Sequence, residues 1–318
     1  MTSRTTRRAL LIGIAASVTL AGCAGAPAQR PGQAVALAPG VYMVPGTGGA
    51  ADDQNLGRIG NAGFIVGERG VMAIDTGTSY AHGQALLGAI RAVTELPVRV
   101  ALITHTRPEF LFGGAAFRER GIPIRMHSRT ARLMASRCET CLKTLRQTLG
   151  EEPMRGTTMY QADELFEQSE TLDLIGRPVR VLYFGHSSGP GDIAVLDPRS
   201  GVLFGGGLLD ARRIPDIQDS DLPGWKKALG ELGSLGASTA VPGHGPAASA
   251  SAAIVGVERY LAQLDSRIRR LVAAGTSLLD VPDAGELPEY ESWDQYDIIH
   301  RRNASIAFLR VERELMFK

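Results

Sequence analysis

The sequence predicts an α/β protein, in which helical layers cover β-sheet. Two observations carry this. Short β-branched or apolar runs, many bounded by Gly, Pro or Asp, alternate along the chain with longer stretches of helical periodicity. The composition, 44% hydrophobic and 21% charged over 318 residues, is that of an ordinary globular protein. At this length about three quarters of the unfolded surface can be buried, so the core needs no crosslinks. Disordered, collagen-like and multi-pass membrane architectures are excluded on the same grounds, and no repeat of solenoid period is visible.

The first 22 residues differ from the rest. Arg4, Arg7 and Arg8 precede the apolar run ALLIGIAASVTLAG, which is short for a bilayer span and ends in small residues, as a signal peptide does. Leu20-Ala21-Gly22-Cys23 resembles the lipobox of bacterial lipoproteins, which makes Cys23 the lipidated N-terminus of the mature chain. Thr6 to Leu11 also resembles a twin-arginine export signal. Ala24, where an inner-membrane retention signal would have Asp, points to the outer membrane. The expected organisation is a signal peptide over 1–22, an Ala-, Pro- and Gln-rich lipid-anchored tether over 23–38, and one domain over 39–318, held in the periplasm. Removing the leader takes three arginines and no acid, so the net charge turns from +1 to slightly negative. With no basic stripe either, no nucleic-acid partner is expected.

Within the domain, strands are predicted at 41–44, 62–66, 71–75, 98–104, 122–126, 171–174, 178–184, 193–197, 201–205 and 239–241. Helices are predicted near 80–94, 128–149, 222–235, 251–274 and 294–316. Residues 278–292 break periodicity and read as a loop. The many arginines of the last two helices read as solvated faces. Cys138 and Cys141, in RCETCLK, lack the second pair that structural zinc needs, so a local disulfide or a plain packing role is expected, with a redox pair as the alternative.

Three of the six histidines directly follow apolar strands. VRVALIT leads to His105, PVRVLYFG to His186 and TAVPG to His244, in the turn Pro242-Gly243-His244-Gly245-Pro246. A fourth strand, GVLFGG, leads to Gly207. Any one such histidine alone would be read as structural. Together they suggest a hydrolytic zinc site, which needs neutral imidazoles and carboxylates on rigid strand ends and an open position for water. His127 follows a strand as well, and reads as a helix cap or surface residue before Ser128.

The stretches THTRPEFLFGG, GHSSGPGD, LFGGG, PGHG and VMAIDTG resemble the metallo-β-lactamase fold superfamily, which implies a four-layer αββα sandwich. Within it the chain is most similar to the quinoprotein relay system zinc metallohydrolases, exported proteins associated with periplasmic quinoprotein alcohol oxidation. IGNAGFIVGERGVMAIDTG, LFGGGLLDARRIPDIQDSDLPGW, AVPGHGP and HRRNASIAF carry that similarity, which covers nearly all of 38–318. The resemblance implies that His105, His186 and His244 are metal-ligand positions and that Asp75 supports the metal loop from behind. It also places Arg107 and Phe110 on two histidine positions of the family's T-H-x-H-x-D-H motif, Glu109 on its aspartate, and Gly207 on the bridging aspartate.

Guanidinium is always protonated and has no lone pair. At about 4 Å it repels a divalent ion by several kcal/mol even at an effective dielectric near 20. Phenylalanine and glycine offer no donor. At most one zinc ion is therefore expected, on His105, His186, His244 and Glu109. Asp192 and Asp210 are carboxylates that could turn inward, and Asp192 and Glu109 are the candidate bases. Arg107 is expected to pair with Glu109 or a nearby aspartate, or alternatively to take a ligand's carboxylate or phosphate. The first functional reading is a pseudoenzyme: a non-catalytic or metal-poor periplasmic binding or accessory lipoprotein. Its partner would be a small-molecule ligand or a protein of a quinoprotein dehydrogenase system. The alternative is a zinc hydrolase with a rebuilt mononuclear site.

Overall fold

The computed structural model describes residues 32–317. The expected signal peptide, Cys23 and most of the tether lie outside them. The elements, in chain order, are β1 (Val35–Ala38), β2 (Val41–Val44), β3 (Ala62–Val66), β4 (Val71–Ile74), α1 (Tyr80–Arg91), β5 (Val98–Ile103), α2 (Pro108–Leu111), α3 (Gly114–Glu119), β6 (Ile124–His127) and α4 (Ser128–Leu149). They continue with β7 (Glu164–Phe166), β8 (Glu170–Leu172), β9 (Val179–Tyr183), β10 (Ile193–Asp197), β11 (Val202–Asp210), α5 (Leu222–Gly233), β12 (Thr239–His244), β13 (Ala248–Ser249), α6 (Ala250–Ala273), α7 (Val281–Ala284) and α8 (Arg301–Met316).

Two sheets stack face to face. The first runs β1-β2-β3-β4-β5-β6-β7 and the second β13-β12-β11-β10-β9-β8. Pairing is antiparallel from β1 to β4 and parallel from β4 to β7. β11 and β12 are also parallel. Parallel neighbours need a crossover, and helices supply it: α1 after β4, α2 and α3 after β5, α4 after β6 and α5 after β11.

Side-chain alternation sorts the strands between layers. On β5, Val100 and Leu102 point between the sheets, where they meet Met72, Ile74, Val181, Ile193, Val195 and Phe204. Ala101 and Ile103 point the other way, into a layer with Leu86, Phe117, Met134 and Leu145. A third layer packs the second sheet on α5, α6 and α8 through Leu203, Trp225, Val257, Leu264 and Phe308. The result is the four-layer αββα sandwich.

Several expectations need correction. The tether is shorter than 23–38, because Val35–Ala38 pair antiparallel with β2. Alternating half-burial on this edge position suits a strand, and Gly40 turns the chain back with φ +76°. The last helix begins at Arg301 rather than 294, after a π-helical turn over Tyr296–His300 that follows left-handed Gln295. The 278–292 segment is not all loop, since it holds α7 and a short 3-10 turn. The arginines of α8 are not simply a solvated face: Arg302 bonds Asp216, and Arg310 donates to the carbonyls of Ile217 and Gln218 at 3.0 Å each. Cys138 and Cys141 are free thiols, not a disulfide. Neighbours at i and i+3 on a helix have Cβ atoms about 5–6 Å apart, wider than the ~3.5–4.5 Å of a disulfide. His127 caps α4, its side chain accepting from Arg129 N.

One buried arginine, ion-paired within the second sheet, reaches across to the first. Arg177 Nε and Nη2 bond the two carboxylate oxygens of Asp197 at 2.8 and 2.6 Å, and Nη1 donates to the carbonyls of Pro39 and Val66. Their side chains are 4% and 0% exposed. Removing the cation from such a pair leaves a buried charge uncompensated. Arg177→Ala is therefore expected to lower the unfolding free energy in urea by about 3–5 kcal/mol. Arg69→Ala, which breaks an exposed pair with Asp173, should cost under about 1 kcal/mol. Equal losses would show that Arg177 does not bind the layers together.

Candidate functional site

The C-terminal ends of β4, β5 and β12 and the latter half of β11 meet at one edge of the sandwich, and they carry Asp75, His105, His244 and Gly207. The site is built outward from Asp75. Its backbone takes a left-handed φ of +58°, unusual for a residue other than glycine and held by the surrounding bonds. Its carboxylate accepts from Thr104 N and Thr104 Oγ1, both at 2.8 Å. Thr104 Oγ1 lies 2.7 Å from His105 Nδ1. With Asp75 ionised, the hydroxyl proton is committed to Asp75 and His105 Nδ1–H donates to the hydroxyl oxygen. Burial, helped by Arg107, keeps His105 neutral by holding its pKa well below the ordinary value.

Phe110 is fully buried beside this imidazole. Its ring centroid lies 4.2 Å from that of His105 and 5.2 Å from that of His244. It therefore fills the space between the two retained histidines. Gly60 makes room for it: a Cβ there would meet the ring at 2.5 Å.

His244 is held from both sides. Nδ1 is 2.9 Å from Asp210 Oδ1 and Nε2 is 3.1 Å from Glu109 Oε1. Burial opposes a charge on this ring, but the two carboxylates outweigh it and raise the pKa. Burial likewise opposes ionisation of Glu109, yet His244 and Arg107 bring its carboxyl down to about 2. The turn that carries His244 is itself fixed by Asn61, whose amide donates to the carbonyls of Pro242 and Gly245.

Arg107 precedes Pro108, the first residue of α2, and its side chain is 30% exposed. Nη1 bonds Asp216 Oδ2 at 2.7 Å, and Arg302 binds the same carboxylate oxygen. Burial acts against the guanidinium charge, but Asp216 and Glu109 outweigh it and hold its pKa above the ordinary value. The expected partner of Arg107 was Glu109 or a nearby aspartate. The hydrogen-bonded partner is Asp216, and Glu109 contributes only through its charge.

Gly207 lies where a side chain would have no room. A Cβ there would be 2.7 Å from Asp192 Oδ2 and 2.9 Å from His105 Cδ2. Asp192 has thus turned inward against Gly207, and Asp210 has turned inward onto His244. Asp192 accepts from Ser188 Oγ at 2.7 Å, and burial raises its carboxyl to about 6. His186 does not join the group. It is exposed, with Nε2 2.7 Å from the carbonyl oxygen of Asp219, so the set His105, His186, His244 and Glu109 is not gathered around one point. Among the described residues, no three His, Cys, Asp or Glu side chains are arranged to hold a metal ion.

Sequence reasoning missed Asp216, Arg302 and Asp219. Their signal lay in quoted stretches, RIPDIQDSD and HRRNASIAF, where charges interrupt apolar runs, but no local pattern says that residues 107, 216 and 302 meet.

A family model described as the metallo-beta-lactamase superfamily matches residues 56–244. The chain belongs to the metallo-beta-lactamase superfamily. Proteins of this family typically bind zinc. A metallo-beta-lactamase type 2 from Bacteroides fragilis is 35% identical over 85 residues, 25% of this chain and 34% of that protein. The chain thus matches about a third of that relative's length. A metallo-beta-lactamase from Pontibacter korlensis superposes with a TM-score of 0.60 at 21% identity, covering 72% of this chain and 98% of that one. The FIM-1 metallo-beta-lactamase of Pseudomonas aeruginosa, in its mono-zinc form, gives 0.58 at 20% identity, covering 74% and 97%. At such identities the two structures speak for the fold alone.

The two carboxylates on His244 make a pH prediction. The raised pKa of His244 means that its charge stabilises the fold fully below its ordinary 6.5, and that this contribution is lost as pH rises through the raised value. The lowered pKa of Glu109 means that its contribution is present above its ordinary 4.5 and lost as pH falls toward about 2. The Tm difference between the native chain and His244→Gln should therefore be widest between roughly pH 4.5 and 6.5 and narrow as pH rises above 6.5 through the raised value. A difference that stays flat over that rise in thermal unfolding would refute a charged His244.

Proposed function

We propose that this chain is an exported metallo-β-lactamase-fold lipoprotein that closes its metal cavity with its own side chains. On this reading it works as a periplasmic binding or accessory protein rather than as a two-zinc hydrolase. One observation carries the reading: the Phe110 ring lies between His105 and His244 while carboxylates take both nitrogens of His244. The donor set does not fit a zinc pair. An imidazolium has no lone pair to give. Arg107 brings a fixed positive charge, Gly207 brings no carboxylate, and Asp192 and His105 fill the space at 207. Export and lipidation are supported by the basic, apolar leader and by Leu20-Ala21-Gly22-Cys23. The long stretches from IGNAGFIVGERGVMAIDTG to HRRNASIAF support a place beside a quinoprotein dehydrogenase system, with a small molecule or a periplasmic protein as partner.

The second reading, a zinc hydrolase with a rebuilt mononuclear site, is favoured by the inward turn of Asp192. Its carboxyl, raised to about 6, lies close to His105 and is suited to accept a proton near neutral pH. That reading requires His186 to leave the Asp219 carbonyl and His244 to lose its proton.

Metal analysis after zinc loading and gel filtration separates the two. Well below one ion per chain, with no hydrolysis of esters, lactams or thioesters, is the expected result. One ion per chain that disappears in His105→Ala would overturn the first reading and favour the second. Combining Arg107→His, Glu109→Asp, Phe110→His and Gly207→Asp should raise zinc affinity sharply in a calorimetric titration. Gly207→Asp alone should only destabilise, by roughly 1–3 kcal/mol, because it crowds Asp192 and His105. No gain of zinc in the combined variant would show that these four positions are not the family's ligand positions.

A further inference from the structure

Cys138 and Cys141 stand one turn apart on the same side of α4 and are both free. They differ in access. Cys138 is buried in the layer beneath the first sheet, with Met134 and Leu142. Cys141 is partly open to solvent, and its thiol donates to the carbonyl of Arg137 at 3.5 Å. Three residues apart on one helix, the two side chains are neighbours on its surface. Neither is used by the site at the strand ends.

We propose that this pair is a thiol–disulfide exchange site for accessible disulfides, with Cys141 as the attacking sulfur and Cys138 as the resolving one. Access fixes the order, since an incoming disulfide R–S–S–R can reach only Cys141. The Cys141 thiolate attacks one sulfur, forms the mixed disulfide Cys141–S–S–R and expels RS⁻. The Cys138 thiol, its proton passing to the departing sulfur, then attacks Cys141 Sγ, forms the Cys138–Cys141 bond and releases the second RSH. The dithiol loses two protons and two electrons, and the external disulfide becomes two thiols. The neighbouring Cys138 thiol favours the first step by lowering the Cys141 thiol to about 7, while Cys138 is raised.

Helix geometry makes the product reversible rather than a staple. Closing the bond draws Cβ atoms from about 5–6 Å to ~3.5–4.5 Å, which tightens one turn of α4. A disulfide strained in this way is readily reduced, as labile exchange sites are. Arg137, in the same turn, pairs with Asp219, whose carbonyl holds His186. The oxidised turn therefore adjoins the edge of the candidate site.

Oxidised glutathione is the probe, applied to the folded chain carrying Cys23→Ala, followed by alkylation and intact mass measurement. The chain should lose about 2 Da and keep no adduct, and peptide mapping should place the bond between residues 138 and 141. Cys138→Ser should retain glutathione as a mixed disulfide, and Cys141→Ser should take up none. Circular dichroism and thermal unfolding check that each variant is folded. Two results would overturn the proposal: a chain that remains a dithiol, or folded Cys141→Ser and Cys138→Ser variants that take up glutathione equally fast.

Discussion

His244 sits where neither a lone charge nor a lone carboxylate can be left. Glu109 and Asp210 are both deeply buried, and an ion taken out of water costs several kcal/mol unless it is paired. The imidazolium between them satisfies both at once. The same rule then propagates outward. Glu109 lies near Arg107, Arg107 is bonded to Asp216, and Asp216 to Arg302. The charges alternate in sign along this line from Asp210 to Arg302, so each buried ion has an opposite neighbour. On the reading proposed above, this line does the charge compensation that a metal would do in a zinc-binding relative.

The line is held in place by backbone features that have no charge of their own. Asp75, in a left-handed conformation, ties the end of β4 to Thr104 on β5 and so aims His105. Asn61 ties the loop before β3 to the turn holding His244. Gly245, with φ +87°, lets that turn pass so close to Ala211 that a Cβ would lie 1.9 Å from its carbonyl oxygen. Phe110 then packs into the gap and keeps water from the two imidazoles. Such a site is rigid because its parts are fixed by sheet ends and by packing, not by loops alone.

Much of this was legible in the sequence. Strands β2, β3 and β10 end where the apolar runs end, because most or all of each short run is buried between layers. His105 and His244 fall at strand ends for the same reason, whereas β11 runs on to Asp210 and holds Gly207 inside it. β1 was lost inside an Ala- and Pro-rich segment because an edge strand of four half-buried residues has too little pattern to stand out. The misreading of His186 has a different cause. Strand-then-histidine fixes where a side chain starts, not which neighbour captures it, and here the Asp219 carbonyl takes the ring. The partnership of Arg107 with Asp216 spans 109 residues of sequence, and no periodicity reports on contacts at that range.

The buried carboxylates also show how far side chains go in supplying positive charge to this edge of the sandwich. Glu109 and Asp216 touch cations, and both are held below the ordinary carboxylate range even though burial pushes the other way. Asp75 and Asp192 are bonded instead to neutral donors, Thr104 and Ser188, and burial carries them to about 7 and about 6. The difference is not burial, which all four share, but the charge of the partner. Three cations, His244, Arg107 and Arg302, compensate the outer carboxylates, whereas His244 acts on Asp75 and Arg107 on Asp192 only through space and too weakly to offset burial. Those two carboxylates take up protons near neutrality, and both lie close to His105, which burial keeps neutral.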